Sequence, residues 1–377
     1  MVFYAEMIPK TEVIVCGGKY MRYIPTLCLR EGMVLARGLY GTDGSLLLQE
    51  GQSLKQSYIA RISMNGFQGV YIDDKLSEEI EIKNVIDDEL RNSAAKAVRD
   101  IFVQSLTSTG ISQNTAENAK AIVHGIVEEI IKNRNVMVNM IDLKSYDNYT
   151  YYHSVNVGVL SIVVGVAFGM DPNSLYKLGL GALLHDIGKV FIDKNIIDKP
   201  GPLTPEEFAT VKKHPALGYE YLRNANLDLP ISSLVGIRQH HERLDGSGYP
   251  DGISGREIHQ FSRIISIADV FDAMTSDRPY RAAMMPSEVM EFLMGGAGKL
   301  FDLEFVSLFT RKVAAFPLGT CVLLSNGLTA IVVENYEDCC LRPKVKVIRG
   351  DSAAPLYLDL KNNRKLSNLT IAGVVKI

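Results

Sequence analysis

Five of the seven histidines in the chain fall between residues 153 and 241, in settings that suggest ligation more than ordinary packing. His153 heads an apolar stretch, His185 precedes Asp186, His214 precedes Pro215, and His240 and His241 are neighbours. Imidazole is the commonest side-chain metal ligand, and carboxylates join it where a hard or hydrolytic metal is held. An adjacent His-Asp pair at a helix end aims two donors at one point, and an aspartate can bridge two ions through its two oxygens. Asp269 supplies a further carboxylate. It lies with Asp272 in the otherwise apolar run Ile267–Ala273, where an unpaired buried charge is costly and a cation removes that cost. Any one of these histidines reads as a hydrogen-bonded core residue, but five of them with two such aspartates read as a metal site.

Three motifs enclose these residues: HDIGK at 185–189, HHERLDGSGYP at 240–250 and ADVFDAMTSDRPYR at 268–281. In order and spacing they resemble the HD-GYP subclass of HD-domain metal-dependent phosphohydrolases, over residues 140 to 315. The resemblance implies an all-α catalytic core, two or three iron or manganese ions, and hydrolysis of cyclic di-GMP. Carried over residue by residue, it makes His153, His185, Asp186, His214, His240, His241 and Asp269 the metal ligands. Seven ligands, one of them bridging, are too many for a single tetrahedral zinc and suit two octahedral ions with positions open to water and substrate. We assign His153, His185, Asp186 and Asp269 to one ion, and Asp186, His214, His240 and His241 to the other. Such a pair activates a water as hydroxide and clamps the phosphoryl oxygens, so no side-chain nucleophile is required. Some family members hold a third ion through a glutamate one helical turn before the first histidine. Here that position is Tyr149, whose phenol, with a pKa of about 10, is a poor ligand at neutral pH. Two iron or manganese ions are therefore expected, with Asp147 and Asn148 the alternative donors for a third.

The implied reaction cleaves cyclic di-GMP to linear pGpG, or onward to GMP, with Asp186 and Lys189 as its catalytic residues. Lys189, three residues beyond Asp186, shares a helical face with it and sets a point charge against a phosphate oxygen. Arg278 and Arg281 carry guanidinium forks suited to phosphate or guanine, and Tyr249 donates its hydroxyl or stacks on a base. Gly246, Gly248 and Pro250 are turn formers. Asp272 is expected to support Lys189 or a ligand histidine, and Glu242 and Asp245 to orient His240 and His241. One rival reading is a non-hydrolytic cyclic di-GMP receptor or signalling scaffold that uses the same cleft. Another is a different HD-type chemistry, such as a nucleotide hydrolase or a di-iron oxygenase. The full ligand set disfavours the first, and the complete GYP and DRPYR segments disfavour the second.

Positioning these residues calls for a multidomain chain, mainly α at its centre. We expect a small N-terminal α/β module at 1–82, a helical connector at 83–134, the HD-type helical catalytic core at 135–315 and a small C-terminal β appendage at 316–377. Short extended segments at Arg22–Pro25, Met33–Ala36, Ser45–Leu48 and Gly69–Ile72 alternate with turns at Gly41–Gly44 and Glu50–Gly51. Leu29–Ala36 with Asp43-Gly44 resembles a module found ahead of HD-GYP domains. Helical periodicity follows at Ile86, Leu90, Ala94, Ala97 and Ile101, and again from Ala119 to Ile130. The second of these helices has Asn114 and Glu117 as its capping box and His124 on its surface. Thr204-Pro-Glu-Glu207 is a third helix start, and after Pro317 strand-like segments surround an Asn326-Gly327 hairpin turn.

Composition narrows the partners. The 377 residues are 47% hydrophobic and 22% charged, which excludes disorder, and 40 basic against 43 acidic residues disfavour broad nucleic-acid binding. Five cysteines without a CxxC indicate a reducing cytosol, and the N-terminus lacks a basic, apolar leader. Residues 153–170 are nearly long enough to cross a bilayer, but their polar start and glycines favour a buried helix. The expected partners are cyclic di-GMP, a second copy through the connector and signalling proteins, with no DNA and no membrane.

Overall fold

The computed structural model describes residues 19–41, 45–65, 67, 69–74, 80–107, 110–139, 149–276, 283–348 and 354–375. Cys16, Asp43, Gly44, Asp147, Asn148, Arg278 and Arg281 lie outside the described residues, as does the side chain of Tyr149.

The N-terminal part is assembled from short strands: β1 (Lys19–Tyr20), β2 (Arg22–Pro25), β3 (Val34–Leu35), β4 (Leu39–Tyr40), β5 (Leu46–Leu48), β6 (Gly69–Asp73) and β7 (Glu81–Ile82). One helix, α1 (Gln56–Met64), separates β5 from β6. The strands pair antiparallel as β2-β6-β3, β4-β5 and β1-β7. Ile24, Leu35, Val70 and Ile72 turn inward from the largest of these sheets, and Ile62 of α1 closes over them.

The connector is a helical hairpin of α2 (Asp88–Ser105) and α3 (Gln113–Lys132). Asp87 caps α2 by accepting from the Leu90 amide. The cap of α3 is Ser112, whose hydroxyl accepts from the Thr115 amide, and not Asn114. Ser112 is the last extended residue, so Asn114 falls inside the first turn, where its side chain is too late to cap. His124 is exposed and stacks on Tyr176, with ring centroids 4.0 Å apart.

The helical core comprises α4 (Tyr149–Phe168), α5 (Pro172–Leu183), α6 (Lys194–Ile197), α7 (Pro205–Val211), α8 (His214–Asn224), α9 (Ile231–Gln239), α10 (Gln260–Met274), α11 (Pro286–Gly296) and α12 (Leu303–Lys312). A helix that is apolar all round must be covered on every side. α4 is such a helix: α2, α3, α5, α10 and α12 pack around it, and 72% of its most apolar span is buried. It stops at Gly169, whose φ of +87° suits glycine, and Asp171 then caps α5 with Pro172 in the first turn. Thr204 and Glu207 form the reciprocal capping box that opens α7.

The chain closes in an antiparallel sheet of β8 (Cys321–Leu324), β9 (Thr329–Glu334), β10 (Lys344–Val347), β11 (Leu356–Asp359) and β12 (Ile371–Val374), ordered β11-β10-β9-β8-β12. Asn326-Gly327 makes the β8–β9 turn, with Gly327 at φ +83°. β12 was not expected from its short Ile-Ala-Gly-Val run; it is a strand because β8 offers it an open edge. Chain order puts this sheet far from the N-terminal strands, but Met21, Tyr71, Ile80 and Ile82 share one apolar cluster with Cys321 and Ile331.

Gly319 is a point of close approach at that junction. Its φ is +82°, and a Cβ there would lie 2.9 Å from Arg22 Cα and 3.2 Å from the Met21 carbonyl oxygen. Gly327 has the same backbone conformation in open space. Gly327→Ala is expected to cost only the left-handed strain of about 1–2 kcal/mol. Gly319→Ala adds overpacking of about 1–3 kcal/mol. Urea denaturation of both variants checks this, and equal losses would show that the two flanks are not held this closely.

Candidate metal centre

Five helices deliver the candidate ligands to one point. His153 lies in the first turns of α4, and His185-Asp186 follow the end of α5 at the start of a 3-10 turn, Ile187–Phe191. His214 opens α8, His240 and His241 leave the end of α9, and Asp269 and Asp272 lie on α10. Two glycines permit the close approach. A Cβ at Gly188 would overlap the His214 carbonyl, so only glycine lets the turn after Asp186 press against the first turn of α8. A Cβ at Gly248 would overlap the backbone of His241–Arg243, so the GYP loop folds directly onto the histidine pair.

Three histidines are oriented by the same local device. Nδ1 of His185 donates to the Ala182 carbonyl at 2.8 Å, that of His214 to Val211 at 2.8 Å, and that of His240 to Ile237 at 2.6 Å. Each carbonyl lies three residues back, where a helix or turn end leaves acceptors open. With Nδ1 donating, every Nε2 points to the centre as a bare lone pair. His214 and His240 thus face each other Nε2 to Nε2 at 3.3 Å. The His185 Nε2 and Asp186 Oδ1 atoms are buried without a hydrogen-bond partner. Converging acceptors repel one another, and a cation among them turns that repulsion into ligation. The residues therefore fit a metal.

The donors form two groups that share Asp186: Asp186, His214, His240 and His241 in one, and His153, His185 and Asp186 in the other. Asp186 Oδ1 faces His214 Nε2 at 3.3 Å, while Oδ2 faces His185 Nε2 at 3.4 Å and His153 Nε2 at 3.6 Å. Asp269 lies between the groups, with Oδ1 3.2 Å from His153 Nε2 and Oδ2 3.7 Å from His241 Nδ1.

Burial and the neighbouring side chains set the charges of the centre. Burial raises the pKa of Asp186, but the Lys189 ammonium is the largest of the opposing influences that hold the carboxyl well below the usual range. Asp269 is held low, against its burial, chiefly by its hydrogen bond with His153. Burial and neighbouring imidazoles keep His240 far below its ordinary value, and His241 is likewise lowered by burial first. Both are thus neutral ligands in waiting. For His153, burial is outweighed by Asp269 and Asp272, and its pKa is pushed up to about 9. Its proton occupies the place that a cation would take between two carboxylates.

The supporting residues differ in part from expectation. Asp272 serves a histidine and not Lys189: Oδ2 accepts from His153 Nδ1 at 2.7 Å, and Oδ1 accepts from Asn156 at 2.9 Å. Asn156 was not foreseen, although a polar residue three after His153 in so apolar a helix was a signal. Glu242 bonds to neither histidine; its Oε1 accepts from the amides of Asp251 and Gly252, which binds the GYP loop instead. Asp245 accepts from the amide and hydroxyl of Ser247 and so shapes a turn. Both correct the sequence expectation, because a carboxylate beside exposed loop amides satisfies those first. Lys189 Nζ lies 2.5 Å from Asp186 Oδ2, with its side chain 28% exposed. Tyr249 lies against His241, ring centroids 4.7 Å apart, with Phe208 beyond it and Lys212 Nζ over both rings. Arg243, also unforeseen, packs over Phe301 with its Nη1 buried and unpartnered.

Residues 128–305 match the HD domain family. A cyclic di-GMP phosphodiesterase of Pseudomonas aeruginosa is 35% identical over 232 residues, 61% of this chain and 55% of that protein. A cyclic di-GMP phosphodiesterase of Thermotoga maritima is 34% identical over 224 residues, 59% of each. A 3'3'-cGAMP-specific phosphodiesterase of Vibrio cholerae is 34% identical over 251 residues, 66% of this chain and 51% of that protein. The chain thus spans little more than half the length of these curated relatives.

Asp272→Ala keeps every atom that faces the centre but frees His153 to turn. It is expected to weaken metal affinity about 10- to 100-fold, read by competition with a chromogenic chelator. Asp245→Ala, which loosens only the Ser247 turn, should leave that affinity unchanged. Equal affinities for both variants would mean that Asp272 does not hold the ligand.

Proposed function

We propose that the chain, whose residues 128–305 match the HD domain family, is a metal-dependent phosphodiesterase of the HD-GYP type that hydrolyses cyclic di-GMP to pGpG, or onward to GMP. The observation that carries this reading is the pair of donor groups sharing Asp186, with the Nε2 lone pairs of His214 and His240 facing each other at 3.3 Å. The names of the Pseudomonas and Thermotoga relatives support the substrate. Two iron or manganese ions would be held by His153, His185, Asp186 and Asp269, and by Asp186, His214, His240 and His241. Bound there, they would supply an acidified water and positive charge for the phosphate.

The chain's own residues do the rest. Asp186 holds both donor groups together, and Asp272 with Asn156 fixes the His153 ring. Lys189 stands between Asp186 and solvent, where its ammonium meets a phosphate oxygen as negative charge accumulates. The Tyr249 ring, backed by His241 and flanked by Lys212, offers a face on which a base can stack. Arg278 and Arg281 complete the phosphate and guanine contacts in this proposal. A second reading, 3'3'-cGAMP as substrate, is favoured by the Vibrio relative. Val103 and Leu106, 52% and 66% exposed at the end of α2, support self-association through the connector of a cytoplasmic enzyme.

Protein purified anaerobically and loaded with iron or manganese is expected to bind two ions per chain and to cleave cyclic di-GMP in a panel that includes 3'3'-cGAMP. Lys189→Ala should keep its metal and lose about one to two decades of turnover, the worth of one charge-assisted contact. Fully loaded protein that binds cyclic di-GMP but cleaves no cyclic dinucleotide would replace the enzyme with a receptor.

A further inference from the structure

A second concavity opens where the connector, α4, α12 and the C-terminal sheet meet, with a volume of about 340 Å³. Small-molecule sites begin at about 300 Å³, so it is large enough for a compact ligand. It is separate from the metal centre. Val163, on its wall, lies ten residues beyond His153 on α4, about 15 Å along a helix.

The lining has two characters. Val85, Ile130, Val163, Val166 and Leu308 form an apolar wall, and Asn133, Asn135 and Glu337 supply polar lining. Arg134 and Arg311 stand at the edge, both exposed; neither makes a direct ion pair with a described residue, although Arg311 is near enough to Asp338 to help hold that carboxyl below its usual value. The other cation, Lys312, is already engaged: its Nζ lies 2.6 Å from a Glu337 carboxylate oxygen and 3.3 Å from the Arg134 carbonyl. The walls are fixed by backbone bonds. The Val138 amide donates to the Lys312 carbonyl at 2.8 Å, and the Ala314 amide to the Val138 carbonyl at 3.0 Å. Segment 133–138 is thereby joined to the end of α12, so the cavity does not need a ligand to form it.

An apolar wall with two exposed guanidinium groups at its edge is complementary to a molecule with an apolar body and one anionic end. Guanidinium binds carboxylate and phosphate oxygens by paired, charge-assisted hydrogen bonds, and the apolar walls bury the rest of the ligand. We infer that this cavity is a binding site for a small amphipathic anion, such as a short-chain carboxylate, distinct from the dinucleotide site. Such a ligand would contact the connector, the catalytic core and the C-terminal part at once.

The full chain with its metals is titrated with sodium octanoate and followed by calorimetry and thermal melting. Saturable binding with a raised Tm is expected, and octylamine, with the same tail and opposite charge, is expected to give neither. Arg134→Glu combined with Arg311→Glu should weaken octanoate binding by at least about tenfold. Ala167→Trp, which fills the cavity, should abolish it. If the tryptophan variant does not fold, the exposed arginine pair decides alone. The inference is overturned by the absence of saturation at concentrations on the order of 10 mM, a range in which even a millimolar site is filled. Equal binding of octylamine, or unchanged octanoate affinity in the arginine variant, overturns it equally.

Discussion

Asp186 is a carboxylate at 1% exposure, and the organisation of the helical core follows from satisfying it. A charge taken out of water costs far more than any single contact returns, unless several partners converge on it. Lys189, His153, His185 and His214 converge here, from α4, the end of α5 and the start of α8. Each partner is itself costly to bury, so the cluster is stable only as a unit, in which every member compensates another. A site of this kind binds cations because the imidazole lone pairs outnumber the protons available to them.

The means of holding it are local and repeated. Three imidazoles are locked by a carbonyl three residues upstream, which needs no distant partner, only a helix or turn end at the right place. Helix ends are therefore where these three imidazoles occur, since an interior turn has no free carbonyl to offer. His153 lies inside α4 instead, and its Nδ1 must find Asp272 on another helix. Glycine serves the same end from the backbone side, at Gly188 and Gly248, where side chains would keep the ligand segments apart.

The N-terminal part reaches this unit through α2, whereas the C-terminal sheet packs on the helical core directly through Val322, Ala330 and Val345. Arg37 of the N-terminal part pairs with Asp88 in the first turn of α2, and Asn92 one turn on accepts from the Tyr152 hydroxyl, next to His153. The C-terminal sheet shares an apolar cluster with the N-terminal strands. The ends of the chain thus form a joined structure beside the helix that bears the first ligand.

Residue types and short spacings determined the donors and most of the elements. The clustered histidines and the two aspartates announced a metal site, the periodicity from Ile86 to Ile130 announced two helices, and Thr204 with Glu207 announced a cap. These were legible because they depend on neighbours within a turn or two, where the backbone leaves few alternatives. What tertiary structure decided was which donors face one another and what supports them. Asn156 and Asp272 are 116 residues apart, and nothing local says that they bond. Glu242 was drawn to loop amides, Ser112 took the cap from Asn114, and β12 formed because an edge of β8 was open. In each case several partners were chemically adequate, and the choice fell to whichever group packing brought within hydrogen-bond reach. Sequence constrains such reach only through the whole fold.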